Sequence, residues 1–448
     1  MSSDKRARLR QWLESGEASL HPLTFPQREL WEASAISPTD PANHICCLIH
    51  VRGLITPEDC RAAIERVVAR QEALRLTILP GKAGPVQMVR KGGEASFRFR
   101  DLSAAQGQPE AIEELAREIF RAPFDLVQGP LYRVEMLRRA PDDLVLVFAI
   151  HHAVADGWTL GVFVRELCGA YLQGRMGKAD ALPAVPLSYT AWGAAERAFW
   201  QPAELEPRAA FWKSELAGPS RLWSSSSDPA ALCRWVSHLP AELGTGVREL
   251  ARRSGATLFS TLLAGFQMTL AQWTGADDIV VGTPVANRGK QTVRETMGYC
   301  SGIVPLRGRV DRDRPMIESL RAVHQMTVEA FANAMPFAEL AQALGERPAP
   351  GGNPVFDVRF ALQNHPIPDV TLPMLSARLR MRSTGTARFD LGCELTEQNE
   401  ALETVWLFRP HLFSQAEVVE LDRLFQAVLT SACRSPESRI STLMTTRA

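Results

Sequence analysis

The chain has 448 residues, 46% hydrophobic and 22% charged, a globular profile with length enough for two or three domains' worth of core. Lys and Arg number 50 and so do Asp and Glu, so no global charge draws the chain to nucleic acid and a partner must be recognised through local patches. The start, MSSDKRARLRQW, lacks the apolar core of a secretory signal, and no stretch long enough to span a bilayer is free of charge, which argues against a membrane role.

In chain order, residues 4–15 fit a short basic amphipathic helix, and 23–34 a second helix with Leu30 and Trp31 inward. Residues 44–52 read as a strand. Thr56-Pro57-Glu58 then opens a helix to about Gln71, with Thr as cap, Pro in the first turn and an acid beside the helix's positive end. Strands follow at 73–78 and near 85–90 and 96–100, a helix at 109–121, and strands near 131–138 and 143–150. The Pro- and Gly-broken stretch 173–187 reads as a linker, which sets the expected lobes at 1–177 and 178–448. Beyond it come a tryptophan-bearing helix at 189–216, helices at 241–253 and 257–273, and a strand at 277–285. A polar turn, ANRGK, and the glycine-rich GYCSGIVPLR lead to helices at 315–332 and 335–344. Strands at 354–362, 388–396 and 402–408 and a helix at 414–433 complete the pass. Two α/β halves of similar element order suggest duplicated lobes with a cleft between them.

The stretch that gathers chemistry is 144–160, LVLVFAIHHAVADGWTL. A buried strand ends on His151 and His152, and Asp156 caps the helix that follows. Neighbouring strand residues face opposite ways, so one histidine faces a given cleft. The assignment is His152 outward, with His151 turned into the protein as support. A neutral imidazole takes a proton from an attacking amine or alcohol. Asp156 either orients an imidazole or pairs with a distant arginine to fix the turn, and Gly157 permits close approach to the backbone. The same residues also fit a hydrogen-bonded histidine pair beside an ordinary helix cap. The eight cysteines form no C-x-x-C pair and no Cys/His cluster at metal spacing, the pattern of reduced thiols in a cytoplasmic protein. Cys300 has no base beside it in sequence and does not read as a nucleophile.

Taken together, these motifs resemble those of nonribosomal peptide synthetase condensation domains. LTFPQRELW at 23–31 looks like the family's first motif. RQEALRLTI at 70–78 resembles the second, with Gln71 in place of its usual His. IHHAVADGW at 150–158 matches the active-site motif in full. YTAW at 189–192, GYCSGIVPLR at 298–307, MPFAEL at 335–340 and NPVFDVRFALQN at 353–364 resemble later motifs in order. Two of these depart from the pattern: Cys300 and Ser301 stand where bulkier residues are usual, and MPFAEL lacks a Gln-Asp pair. RFDLGCEL at 388–395 resembles a strand that crosses between lobes.

The resemblance implies a V-shaped pseudo-dimer of chloramphenicol-acetyltransferase-like α/β lobes with a central tunnel, and lobe-crossing segments near 286–307 and 384–396. It implies catalysis by His152, with His151, Asp156 and Gly157 in the motif, and Arg288 reaching from the second lobe to pair with Asp156 and clamp the lobes. Trp158, Ser301 and Asn364 are placed along the tunnel. The donor is an acyl thioester on the phosphopantetheine arm of a carrier protein, and the acceptor is a small or carrier-bound amine or alcohol. No metal, bound cofactor, nucleic acid or membrane is implied, and the chain is expected to act as a monomer. The product is an amide or ester, made by chain extension or by release of a finished chain. The rivals are an acyl-CoA-dependent transferase of the same superfamily, whose D-F-G-W-G signature is not found here, and a non-catalytic binding domain.

Overall fold

The computed structural model describes residues 3–36, 41–82, 84–103, 109–178, 182–218, 221–223, 232–347, 352–363, 369–372, 375–382, 389–398 and 401–443. The chain divides into two compact units. The first comprises Met1–Trp200, Ala286–Ser301 and His365–Thr384, and the second Gln201–Val285, Gly302–Asn364 and Gly385–Ala448.

The first unit is built on a six-stranded sheet. Its spatial order is Val370–Leu372, Leu375–Arg382, His44–Arg52, Asp143–His151, Tyr132–Ala140 and Phe97–Asp101. All neighbours are antiparallel except the last pair, which is parallel. Residues 144–150 form an unbroken apolar run because their strand is central and covered on both faces; each is at most 3% exposed. Helices Pro57–Arg70 and Gly157–Arg175 share one apolar core with this sheet. Thr56 caps the first of them, its hydroxyl accepting the Asp59 N–H at 3.1 Å. A small second sheet orders Ala18–Pro22, Val86–Arg90 and Leu76–Leu79.

The second unit has its own six-stranded sheet, ordered Gly302–Arg309, Asp278–Val285, Val358–Gln363, Leu391–Gln398, Ala401–Phe408 and Cys233–Leu239. Val358–Gln363 runs parallel to both neighbours and the remaining pairs are antiparallel. Phe266, Phe360, Trp406 and Phe425 form an aromatic cluster in this unit, Phe266 stacking on Phe360, tilted against Trp406 and meeting Phe425 edge to face. No helix among the described residues is long and apolar enough to cross a membrane.

Four sequence expectations change. The helix expected over 189–216 is two, Tyr189–Phe199 and Pro202–Glu215. Pro202 has no N–H to continue the first and sits at the opening position of the second. The first unit runs on to Trp200, beyond the 177 boundary, because Tyr189–Phe199 packs with it. The first excursion of the chain covers 286–301, while Gly302–Arg309 pairs with Asp278–Val285 in the second unit's sheet. The second excursion is 365–384, not 384–396. Leu375–Arg382 pairs with His44–Arg52 over seven residues, whereas Leu391–Gln398 lies between two strands of the second unit.

Candidate active site

The strand Asp143–His151 ends against a single 3-10 turn, His152–Val154, and Asp156 then caps helix Gly157–Arg175. Asp156 Oδ1 accepts the Thr159 N–H at 3.0 Å while the Asp156 N–H donates to Thr159 Oγ1 at 3.2 Å, a reciprocal capping box. Gly157 is the first helical residue and is half-buried.

The Asp156 carboxylate is tied on every side. Oδ2 accepts the backbone N–H groups of Cys300 at 3.1 Å and Ser301 at 3.3 Å. Arg288 Nη2 donates to Oδ1 at 3.1 Å and Oδ2 at 3.0 Å. Arg288 Nη2 also reaches Gly298 O at 3.0 Å, and its Nη1 donates to Val293 O at 2.8 Å and Thr296 O at 2.6 Å. Burial is the largest influence and opposes the charge on this guanidinium, but Asp156, Cys300 and Tyr189 together outweigh it and raise its pKa above the ordinary arginine value. One arginine thus fixes both the motif turn and the loop 293–298. Both members of the pair belong to the first unit, which corrects the expectation that Arg288 reaches across from the second lobe. The reason lies in the hydrogen bonds of segment 286–301, whose polar groups are satisfied by Asp156, Thr159 and Gln71.

The two histidines part as their neighbours dictate. His151 is 5% exposed; its Nδ1 accepts the Ala153 N–H at 3.1 Å, and its ring meets His44 and Phe124 edge to face. With Nδ1 accepting, the neutral ring carries its proton on Nε2. His152 is half-buried, and its ring centroid lies 4.3 Å from that of Tyr299 at 65°. Trp158 is half-buried, with Nε1 donating to Arg294 O at 2.8 Å and the Arg288 guanidinium 5.9 Å from its ring. Ser301 is half-buried beside Asp156, and Asn364 lies outside the described residues. Burial pushes the Cys300 thiol well above its ordinary pKa, which disfavours the thiolate a nucleophile requires. No group of three His, Cys, Asp or Glu among the described residues is placed to hold a metal.

The sequence model of the condensation domain family matches residues 17–448. The chain belongs to the condensation-domain family. It is 31% identical over 415 residues to phosphinothricin tripeptide synthetase PhsC of Streptomyces viridochromogenes, covering 90% of this chain and 38% of that protein. It is 28% identical over 441 residues to chondramide synthase cmdD of Chondromyces crocatus, covering 96% of this chain and 11% of that one. The chain therefore spans well under two thirds of these relatives. Its fold matches the first condensation domain of the calcium-dependent antibiotic synthetase with a TM-score of 0.80 at 22% identity, covering 94% of this chain and 98% of that one. It also matches the X-domain from teicoplanin biosynthesis with a TM-score of 0.83 at 21% identity, covering 94% and 96%. The fold is accordingly the chloramphenicol-acetyltransferase-like pseudo-dimer of condensation domains.

Within this condensation domain, several site residues carry roles that the sequence reading passed over. Gln71 uses both ends of its amide. Its Oε1 accepts the Met297 N–H at 3.0 Å, and its Nε2 donates to Glu295 O at 2.9 Å and Glu166 Oε1 at 2.6 Å. Glu166 also pairs with Arg70, yet burial lifts its carboxyl to about 7. Gly298 has φ +151°, and a Cβ there would sit 2.2 Å from the Tyr189 ring, so glycine is required by backbone and by space. Tyr299 is placed against His152 by that turn. Nothing in periodicity announces Tyr299, because its partner lies 147 positions upstream in the chain, the difference between 299 and 152.

Proposed function

We propose that this condensation domain transfers an acyl group from a carrier-bound phosphopantetheine thioester to an amine or hydroxyl, with His152 as the group that receives or orients the acceptor's proton. The observation that carries the reading is a half-buried imidazole on a turn locked by a buried Asp–Arg pair. The acceptor hydrogen-bonds to His152 and attacks the thioester carbon. The new C–N or C–O bond forms, the C–S bond breaks through a tetrahedral oxyanion, and the acceptor's proton passes by way of the imidazole to the leaving thiolate. The amide end of helix Gly157–Arg175 lies beside the histidines and favours developing negative charge. An alcohol needs the base more than a neutral amine does, so the dependence on His152 reports the acceptor class. Asp156 and Arg288 hold the turn and take no part in bond making.

The test incubates the protein with an acylated carrier protein and a panel of amines and alcohols and reads products by intact mass. His152→Ala is expected to lower product formation about 10²–10⁴-fold. Unchanged product formation in that variant would refute the assignment. Equal turnover with free acyl-CoA would replace the carrier as donor.

A further inference from the structure

The half-buried His152 side chain can turn about its own bonds, so a fixed backbone turn does not by itself fix the ring. A buried chain of hydrogen bonds starts at the residue after His152 and ends on the imidazole's neighbour. Gln27 Nε2 donates to the carbonyl of Ala153 at 3.1 Å. Gln27 Oε1 accepts the Thr24 N–H at 3.0 Å, and Thr24 Oγ1 accepts the Gln27 N–H at 3.3 Å. This is a capping box at the start of helix Phe25–Ile36, with the side-chain amide left over for Ala153. Thr24 Oγ1 lies 3.1 Å from Tyr189 Oη, which lies 3.0 Å from Tyr299 O. A carbonyl only accepts, so Tyr189 gives its one proton to Tyr299 and takes that of Thr24 in return. Every proton in the chain therefore has one direction. Thr24 and Gln27 are fully buried, Tyr189 is 1% exposed and Tyr299 7%. Tyr299 then closes the loop by setting its ring against that of His152.

We propose that Thr24, Gln27, Tyr189 and Tyr299 form a positioning circuit for the His152 imidazole, holding it from the backbone side and from the ring side at once. These are positioning residues and touch no reacting atom. The inference rests on the acyl-transfer reading for its importance but not for its first test. A helix cap needs only Thr24 and Gln27; the continuation through Tyr189 to Tyr299 is what a ring holder adds. Misplacing a reacting group by about 1 Å costs on the order of 10²-fold in rate, so a partial loosening is expected to cost about tenfold.

The experiment uses the full chain labelled with 13C at histidine Cε1, with His152→Ala assigning the resonance. His238 in the second unit, with its side chain 63% exposed, is the internal control. Tyr189→Phe keeps the ring and removes the hydroxyl; Tyr299→Leu removes the contacting ring. Both are expected to change the His152 titration midpoint and broaden its line while His238 stays put. With an acylated carrier and an amine acceptor, both are expected to lose about tenfold in kcat with KM moving less than about twofold. Tyr299→Phe, which restores a ring, is expected to recover most of what Tyr299→Leu loses. A His152 titration in Tyr299→Leu that superimposes on the parent's overturns the proposal. If Tyr299→Leu does not fold, the same criterion falls on Tyr189→Phe. If instead His152→Ala keeps full product formation, the acyl-transfer reading fails, and the titration still decides the circuit.

Discussion

Each unit buries an aspartate–arginine pair, and the two pairs are solvated by protein in opposite ways. In the first unit Asp156 and Arg288 have side chains 2% and 1% exposed. In the second Asp390 and Arg409 are 3% and 1% exposed, joined by Nε to Oδ1 at 2.8 Å. Besides its arginine, Asp156 has the Thr159 N–H and hydroxyl on Oδ1 and the Cys300 and Ser301 N–H groups on Oδ2. Asp390 Oδ2 has no hydrogen-bond partner among the described residues. Burial accordingly raises the Asp390 pKa, with Arg409 opposing and Asp357 adding to the rise. A guanidinium at hydrogen-bond distance is thus a weak guarantee of a buried charge, and the number of further donors decides how well the carboxylate is held.

That contrast is most exposed to test at Arg288. Arg288→Met removes the counter-charge of Asp156 and strips the carbonyls of Val293, Thr296 and Gly298 of a donor. A loss of about 3–5 kcal/mol in urea unfolding is expected. A loss below about 1 kcal/mol would break the comparison. Arg409→Met is expected to cost less, about 1–3 kcal/mol near pH 8, because Asp390 can take a proton. That cost is expected to shrink as pH falls towards 5, since protonation supplies what the guanidinium did; a pH-independent cost contradicts it.

Two raised carboxyls sharpen the point. Glu166 has Arg70 and Gln71 as donors to Oε1 and is lifted by burial to about 7; Glu196, with Arg197 and Trp200 opposing the rise, is lifted by burial to about 8, and in both carboxyls Oε2 has no partner among the described residues. A carboxyl with a raised folded pKa binds a proton that the unfolded chain has already released. Its favourable share is complete below the unfolded value of about 4.3 and is lost as pH climbs through about 7 for Glu166 and about 8 for Glu196. Glu196→Gln is therefore expected to flatten the fall of stability between pH 5 and 9, removing a slope of at most about 1.4 kcal/mol per pH unit. Denaturant midpoints measured across that range check it, and an unchanged slope refutes it. The smallest effect is expected at Gln71→His. A neutral imidazole offers one donor and one acceptor where the amide makes three bonds, so the cost is about 1 kcal/mol or less, read by the same unfolding curves.

The legible part of the fold was local. The run Leu144–Ile150, the cap at Asp156 and the helix behind it all stand in one stretch where strand composition and capping chemistry agree. The Thr56 cap and the helices Ala241–Ser254, Leu258–Thr274, Met316–Ala332 and Gln415–Arg434 of the second unit were readable for the same reason. The T-x-x-Q signature of the Thr24–Gln27 box stood in the sequence as plainly, but its second use, reaching Ala153, is a contact over 126 positions. Strands Ala18–Pro22 and Cys233–Leu239 escaped because they lie at sheet edges and alternate weakly, and Leu375–Arg382, an interior strand, escaped because its arginines break the apolar pattern: it reads LSARLRMR. Arg288 was found as the partner of Asp156 through the motif resemblance, yet the unit it belongs to depends on which neighbours satisfy its loop, and that lies outside any local pattern.

The strand Leu375–Arg382 carries one more consequence. It occupies the flank of His44–Arg52, in the same sheet that delivers His151. A nascent chain that has emerged only as far as Trp200 has therefore produced this sheet without its strands Val370–Leu372 and Leu375–Arg382, and the open backbone edge of His44–Arg52 invites pairing with other chains. Completion of this sheet has to wait for residues 375–382, so chaperone demand during synthesis is expected to peak before residue 382 emerges.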